Sequence, residues 1–148
     1  MVSFQEETFQ QFYKDGLELF PKHYEELALN KDQIKLELDT KRYEEAEKSG
    51  VLHIATIRDD GKLVGYFVSA LMSHLHYASV LCASTDMYFI KPEYRLRCGA
   101  ALIKFVELCW KAKGVRKAYV SCKVHLDKQK LLEALGYTFS DKMFVRML

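Results

Sequence analysis

Apolar residues recur at helical spacing through the first part of the chain. Phe9, Phe12, Tyr13, Leu17, Leu19 and Phe20 form one stripe, which predicts helix over residues 5–29. Gly16 and Pro21 should divide it, because proline suits a helix's first turn but not its interior. His23, Tyr24, Leu27 and Leu29 continue on the second piece. Residues 30–39 read as a polar connector. A further helix follows, with Thr40 as its N-cap, Tyr43 and Ala46 inward, and Gly50 as its stop. A first strand around Val2–Phe4 has little support. Strands then dominate, over residues 51–58, 63–72 and 80–90. Asp59-Asp60-Gly61-Lys62 is a hairpin turn, and residues 73–79 suggest another. A helix is predicted from Gly99 to Lys113, ending at Gly114. Leu102, Phe105, Val106 and Cys109 mark its apolar face, and Lys104, Glu107 and Lys111 its polar one. Residues 115–122 read as a buried strand, 127–135 as a short helix and 136–148 as a final strand or hairpin. No internal repeat is present.

Composition narrows the class. At 148 residues, 49% hydrophobic and 13% aromatic, the chain can bury the core of one domain. No apolar run approaches the roughly 20 residues of a membrane span. The start, Met1 to Glu7, lacks a basic and then apolar pattern and is not expected to be a signal peptide. Cys82, Cys98, Cys109 and Cys122 show neither disulfide nor zinc-knuckle spacing, so reduced thiols in a cytoplasmic protein are expected. The net charge of +2 is too small to argue for nucleic acid. Its distribution is uneven: residues 1–50 carry a net −5 and residues 51–148 a net +7. That split suits a cationic acceptor on one side and an anionic ligand on the other, or two solvated faces that simply differ.

The stretch Met87 to Leu102 carries most of the chemistry. Tyr88 to Ile90 has strand composition, Pro92 ends strand pairing, and helix formers follow Gly99. A helix start with nearby Arg95 and Arg97, and a glycine permitting close approach, is suited to a phosphate or pyrophosphate. It is neither a P-loop nor a dinucleotide fingerprint, since Gly-Lys-Ser/Thr and Gly-x-Gly-x-x-Gly are both missing. An ordinary strand–loop–helix connection with surface arginines would look the same.

The order strand, Pro-x-Tyr-Arg, then Gly/Ala-rich helix start resembles the acyl-CoA-binding motif of the GNAT superfamily of N-acetyltransferases, Arg/Gln-x-x-Gly-x-Gly/Ala. Here it falls on Arg95-Leu96-Arg97-Cys98-Gly99-Ala100, with Cys98 at the first glycine position. Leu131-Leu132-Glu133-Ala134-Leu135-Gly136-Tyr137 resembles the family's closing Leu-Tyr-x-x-Leu-Gly-Phe, with Leu132 where a tyrosine is often the general acid. The resemblance covers roughly residues 51–148 and is greatest to small phage- and prophage-encoded members, which would place the protein in a host cytoplasm.

The resemblance implies a mixed α/β fold: a central, mostly antiparallel, splayed sheet with helices on both faces. It implies one domain over residues 1–148, with 1–50 a helical cap and 51–148 the cofactor-binding core. It implies acetyl transfer from acetyl-CoA to an amine, small molecule or protein, by direct attack, and leaves a homodimer open. Phe89 and Ile90 would meet the acyl and pantetheine part through their backbone, and Arg95 to Ala100 the pyrophosphate. Asp86 is the first choice for general base, or else an acid at a strand edge. Tyr88 shares its strand parity, so both should face one side, and it either donates a proton or packs. His125 would hydrogen-bond pantetheine or protonate the thiolate, or cap the short helix. His74 and His76 lack a third ligand, so no metal site is expected; they can instead line an acceptor pocket. Cys98 is expected to pack. Leu132 and Cys98 also suit a member of the fold that binds without catalysing. A third reading is a modifier of protein lysines or modified DNA bases.

Overall fold

The computed structural model describes residues 1–148. Its five strands are β1 (Val2–Glu6), β2 (Leu52–Asp59), β3 (Lys62–His74), β4 (Tyr77–Ile90) and β5 (Lys117–Tyr119). Its helices are α1 (Phe9–Gly16), α2 (Phe20–Leu27), α3 (Thr40–Lys48), α4 (Arg95–Ala112) and α5 (Gln129–Ala134). The strands lie in chain order in one sheet, antiparallel from β1 to β4, with β5 parallel to β4. Helix α4 covers one face, over Ala55, Ile57, Phe67, Leu71 and Ala83. Helices α1 and α2 cover the other, where Phe9, Phe12 and Phe20 pack on Ile54, Tyr66, Val68 and Phe89. The expected mixed α/β sheet with helices on both faces is therefore what forms.

Several elements differ from expectation, each for a local reason. The chain starts with a strand through Glu6, because Val2 and Phe4 alternate with polar residues and pack against the α4 side, Phe4 on Phe105. Thr8 then caps α1 by accepting from the Gln11 amide, so the helix starts at Phe9. Gly16 is required where the first helix ends: a Cβ there would lie 2.2 Å from the Phe20 ring. Pro21 sits in the first turn of α2, as expected. Asp39, not Thr40, caps α3, accepting from the Arg42 amide. Asp60 (φ 47°) and Gly61 (φ 80°) make the left-handed β2–β3 turn. Helix α4 begins at Arg95, continuing a 3-10 turn over Pro92–Tyr94. Gly99 thus lies a full turn inside the helix, facing Tyr88 and Leu131, where a Cβ would meet them at 3.7 and 3.8 Å, ordinary contact distances. Strand β5 has three residues, and the chain from Gly136 onward forms no strand. Met143 and Phe144 there are 95% and 89% exposed, so the strand-like composition meets neither a ladder partner nor a face to bury.

One polar network pins α1 to the sheet. Arg58 Nε and Nη2 donate to the two oxygens of Glu7 at 2.5 and 2.8 Å, and Nη2 lies 2.7 Å from Asp15. Both Glu7 and Arg58 side chains are buried, at 3% and 9% exposure. Burial alone would raise the Glu7 pKa, but hydrogen bonds from Arg58, Thr56 and Gln5 outweigh it and hold it below the usual carboxylate range. Arg58→Met should therefore cost about 3 kcal/mol or more at neutral pH, by leaving a buried carboxylate unpaired. The wild-type pair stabilises above the ordinary carboxylate pKa and loses that stabilisation as pH falls through Glu7's lowered value. In the variant, unpaired burial pushes Glu7 upward, so its deficit should narrow in acid. Urea denaturation at pH 7 and near pH 4 checks both the cost and the sign.

Candidate active site

Strand β4 changes character at Asp86. Val68 of β3 pairs with Met87 and the next residue, Ser69, pairs with Thr85, so Asp86 is an extra residue, a β-bulge. Side-chain parity flips there. Leu81 and Ala83 point to the α4 face before the bulge, and Tyr88 and Ile90 do so after it. Asp86 and Tyr88 consequently face opposite sides of the sheet, which corrects the parity expected of a regular strand. Asp86 is exposed beneath the helical cap, where the Tyr43 hydroxyl of α3 donates to Oδ2 at 2.6 Å. Burial and this bond raise the Tyr43 pKa, so the phenol stays protonated and the carboxylate keeps a second oxygen for another partner.

The sheet opens beside the bulge. Cys82, Ala83 and Ser84 pair with Lys117, Ala118 and Tyr119. The Thr85 hydroxyl then ends the ladder, donating to the Tyr119 carbonyl and accepting from the Ser121 amide, both at 3.3 Å. Beyond it β4 has β3 on one edge and no strand on the other. The segment after β5 turns away through a 3-10 turn, Val124–Leu126, into α5. A wedge is left between the end of β4 and residues 120–128, and its β4 edge is backbone.

Arg95 stands at the mouth of the wedge. Its Nε donates to the Ile90 carbonyl at 2.9 Å, and Nη2 donates to both Glu26 oxygens at 2.6 Å. His125 Nε2 donates to the Glu26 backbone carbonyl at 3.0 Å, so its neutral form leaves Nδ1 as an acceptor. The end of α2 is thus tied to both sides of the opening. Tyr88 floors the wedge on the α4 side. Burial pushes its phenol up to about 12, Arg95 opposing, and the Lys128 ammonium sits 5.1 Å above its ring. Burial lowers the Lys128 pKa.

The remaining motif positions diverge. Arg97 turns outward, 4.7 Å over the Tyr94 ring and 3.8 Å from Asp59. Leu96 is fully exposed, while Cys98 and Gly99 are buried in the helix and Ala100 is half-buried. Phe89 packs under the cap and Ile90 on the α4 face. Leu132 is buried in the α4-side core rather than facing the wedge. His74 and His76 sit at the β3–β4 hairpin tip, the opposite end of β4 from Ile90, where the His76 amide donates to His74 Nδ1.

Sequence reasoning missed Glu26, Tyr43, Lys128 and the pair His23–Tyr66. Tyr43 and His23 were legible only as inward helix positions, and nothing marked Glu26 or Lys128. His23 Nδ1 lies 2.7 Å from the Tyr66 hydroxyl, and its ring stacks on Phe89 at 5.1 Å. Burial, with Lys128 and Lys123 assisting, lowers the His23 pKa to about 4.

Solved structures share this architecture over nearly the whole chain. One is a ribosomal-protein-alanine N-acetyltransferase from Brucella melitensis biovar Abortus 2308, at 16% identity and a TM-score of 0.73, covering 100% of this chain and 99% of that one. Another is an aminoglycoside acetyltransferase from an uncultured soil metagenomic sample, at 10% identity and a TM-score of 0.77, covering 100% and 98%. A third, from Clostridium acetobutylicum, is described as a predicted acetyltransferase with acetyl-CoA, at 8% identity and a TM-score of 0.74, covering 99% and 96%. The chain has the fold of these acetyltransferases. No family model and no curated protein sequence matches it.

Because His23 is neutral in the folded protein and protonates more readily when unfolded, stability should fall as pH drops from about 6.5 to 4. The loss amounts to roughly 3 kcal/mol for this one group. His23→Gln keeps a partner for Tyr66 but does not titrate, so it should flatten that limb of the stability–pH curve. Chemical denaturation across the range reads this out.

Proposed function

We propose that this protein is an acyltransferase that moves the acetyl group of acetyl-CoA to an amine acceptor by direct attack. The observation that carries the reading is the parting of β4 from β5 past Thr85, with Arg95 at its mouth and the α4 start beside it. An unpaired β4 edge offers backbone groups to the amides of a pantetheine chain, and a half-buried guanidinium offers charge to a pyrophosphate. Strand alternation turns the Tyr88 and Ile90 backbone to that edge, whereas Phe89, expected there from the resemblance, pairs its backbone with Tyr66 of β3. Arg95 supplies the charge once Glu26 exchanges its carboxylate for phosphate oxygens, and Leu96, Arg97 and Cys98 supply the first turn of α4, with Gly99 and Ala100 in the turn behind it. Acetyl-CoA contributes an activated thioester, and the Clostridium protein with acetyl-CoA supports that choice of donor. Acceptor identity does not follow from the fold, since ribosomal-protein alanine and aminoglycosides are named among the relatives' acceptors.

In this reading Asp86 takes the proton that the ammonium acceptor must lose, through its free oxygen or one water, while Tyr43 holds its other oxygen. Backbone N–H groups at the bulge face the oxygen that becomes negative. Tyr88, protonated and beneath the wedge, can return a proton to the thiolate, although a thiolate of pKa about 8.5 already leaves tolerably. His125 holds the end of α2 more than it acts on a proton. We read residues 1–148 as one domain, with the helices of the first fifty residues forming the acceptor-side cap. Four free cysteines and the lack of any helix long and apolar enough to cross a membrane suit a cytoplasmic setting. A phage or prophage origin rests on the sequence resemblance alone. The burial of Leu132, which leaves the usual tyrosine position inside the core, favours a second reading, a binding module without catalysis.

Acetyl-CoA should raise the thermal unfolding midpoint in a concentration-dependent way, as linkage requires, and Arg95→Ala should weaken the effect at least about tenfold in concentration. A folded sample with no shift at millimolar acetyl-CoA would exclude the donor. On an identified amine, Asp86→Asn should lower turnover about 100-fold or more with acetyl-CoA affinity nearly unchanged. His125→Ala should lower it less. Full turnover in Asp86→Asn would assign the base elsewhere.

A further inference from the structure

Away from the wedge, on the α4 face, three side chains of different chemistry converge from three elements. Glu6 comes from the end of β1, His53 from β2 and Cys109 from α4, and one ligating atom of each lies within 4.8 Å of the others. The geometry points to a site for a divalent cation of the zinc class, held by Glu6, His53 Nε2 and Cys109 Sγ, with the fourth position open to water. Nothing in this inference depends on the proposed acetyl transfer.

The state of His53 is the independent observation. Its side chain is 1% exposed, yet Nε2 has no hydrogen-bond partner, although Glu6 Oε1 is 3.1 Å away and off line. A buried nitrogen left so is destabilising, and a bound cation would satisfy it. The other nitrogen is already positioned, since Nδ1 lies 3.2 Å from the Ser69 hydroxyl. That hydroxyl accepts from Trp110 Nε1 at 3.0 Å. Fixing one imidazole nitrogen so that the other faces a metal is the usual outer-sphere arrangement of a zinc histidine.

The donor set selects the ion. Sulfur, imidazole nitrogen and one carboxylate suit zinc, whereas magnesium and calcium want oxygen alone. Tetrahedral zinc places its ligand atoms roughly 3.5 Å apart, so side-chain movements of about an ångström would close the site. Cys109 releases its thiol proton to solvent as the metal–sulfur bond forms. Glu6 is 45% exposed and gives the ion a path in. Lys113 Nζ, 2.8 Å from Glu6 Oε1, is the cation now in place. It lies on the edge of the cluster and can swing into solvent as the metal arrives.

Calorimetry of the untagged, chelator-treated full chain with zinc chloride tests the site, together with cobalt substitution followed by thiolate-to-cobalt absorption. The expected result is one ion per chain, a raised unfolding midpoint and a cobalt–thiolate band. Cys109→Ala and Glu6→Gln, both conservative enough to fold, should each weaken affinity about 100-fold or more, and Cys109→Ala should abolish the band. Lys113→Met should tighten binding by removing the competing cation. Lack of stoichiometric zinc binding to folded wild type, or binding unchanged in Cys109→Ala, would overturn the site.

Discussion

The structure turns on one local irregularity, the extra residue Asp86 in β4 and the Thr85 side chain beside it. A regular β4 would continue its ladder with β5 and leave a closed sheet. Instead Thr85 spends its hydroxyl on Tyr119 and Ser121, which ends the backbone pairing. The bulge re-aims every later side chain by one face. The same defect that opens the sheet therefore presents Asp86 to the cap and Tyr88 to the opposite side. A bulge and a gap at adjacent residues bring a carboxylate and an unpaired strand edge together without any loop insertion.

The helices hold that gap at a definite width. On one side α4 packs through Leu102, Ile103, Val106 and Trp110, all nearly inaccessible. On the other, α1 and α2 rest on an aromatic group that includes Phe12, Phe20, Tyr66 and Phe89. The end of α2 crosses the mouth and is held by Arg95 and His125 through a single residue, Glu26. The contacts that hold it are polar and partly exposed, worth less than the aromatic packing behind them.

Much of the frame was legible in the sequence because it follows from short-range pattern. Apolar spacing located the helix break at Gly16 and Pro21 and the run of strands from Val51. Asp60-Gly61 marked its hairpin, and the Pro92 to Leu102 stretch marked the strand-to-helix passage. What escaped depended on long-range geometry. A bulge leaves no signature in alternation, so Asp86 and Tyr88 seemed to share a face. The start of α4 moved from Gly99 to Arg95 because a buried glycine inside a helix looks, in sequence, like a loop glycine. Arg95 and Arg97 seemed to converge, yet a helix sends residues two apart in different directions. Glu26, Tyr43 and the Glu6–His53–Cys109 group come from separate elements, and only the folded chain brings them together.

The unpaired edge of β4 is proposed as a ligand-binding edge. Residue-resolved amide hydrogen exchange, with and without acetyl-CoA, tests it most directly. The expected result is slow exchange at Cys82 to Ser84 in both states. Those amides of residues 86–90 not bonded to β3 should exchange fast in the free protein. They should become protected with acetyl-CoA, together with the first turn of α4. Protection of residues 86–90 that is already complete in the free chain, or that acetyl-CoA leaves unchanged while it binds elsewhere, would contradict it.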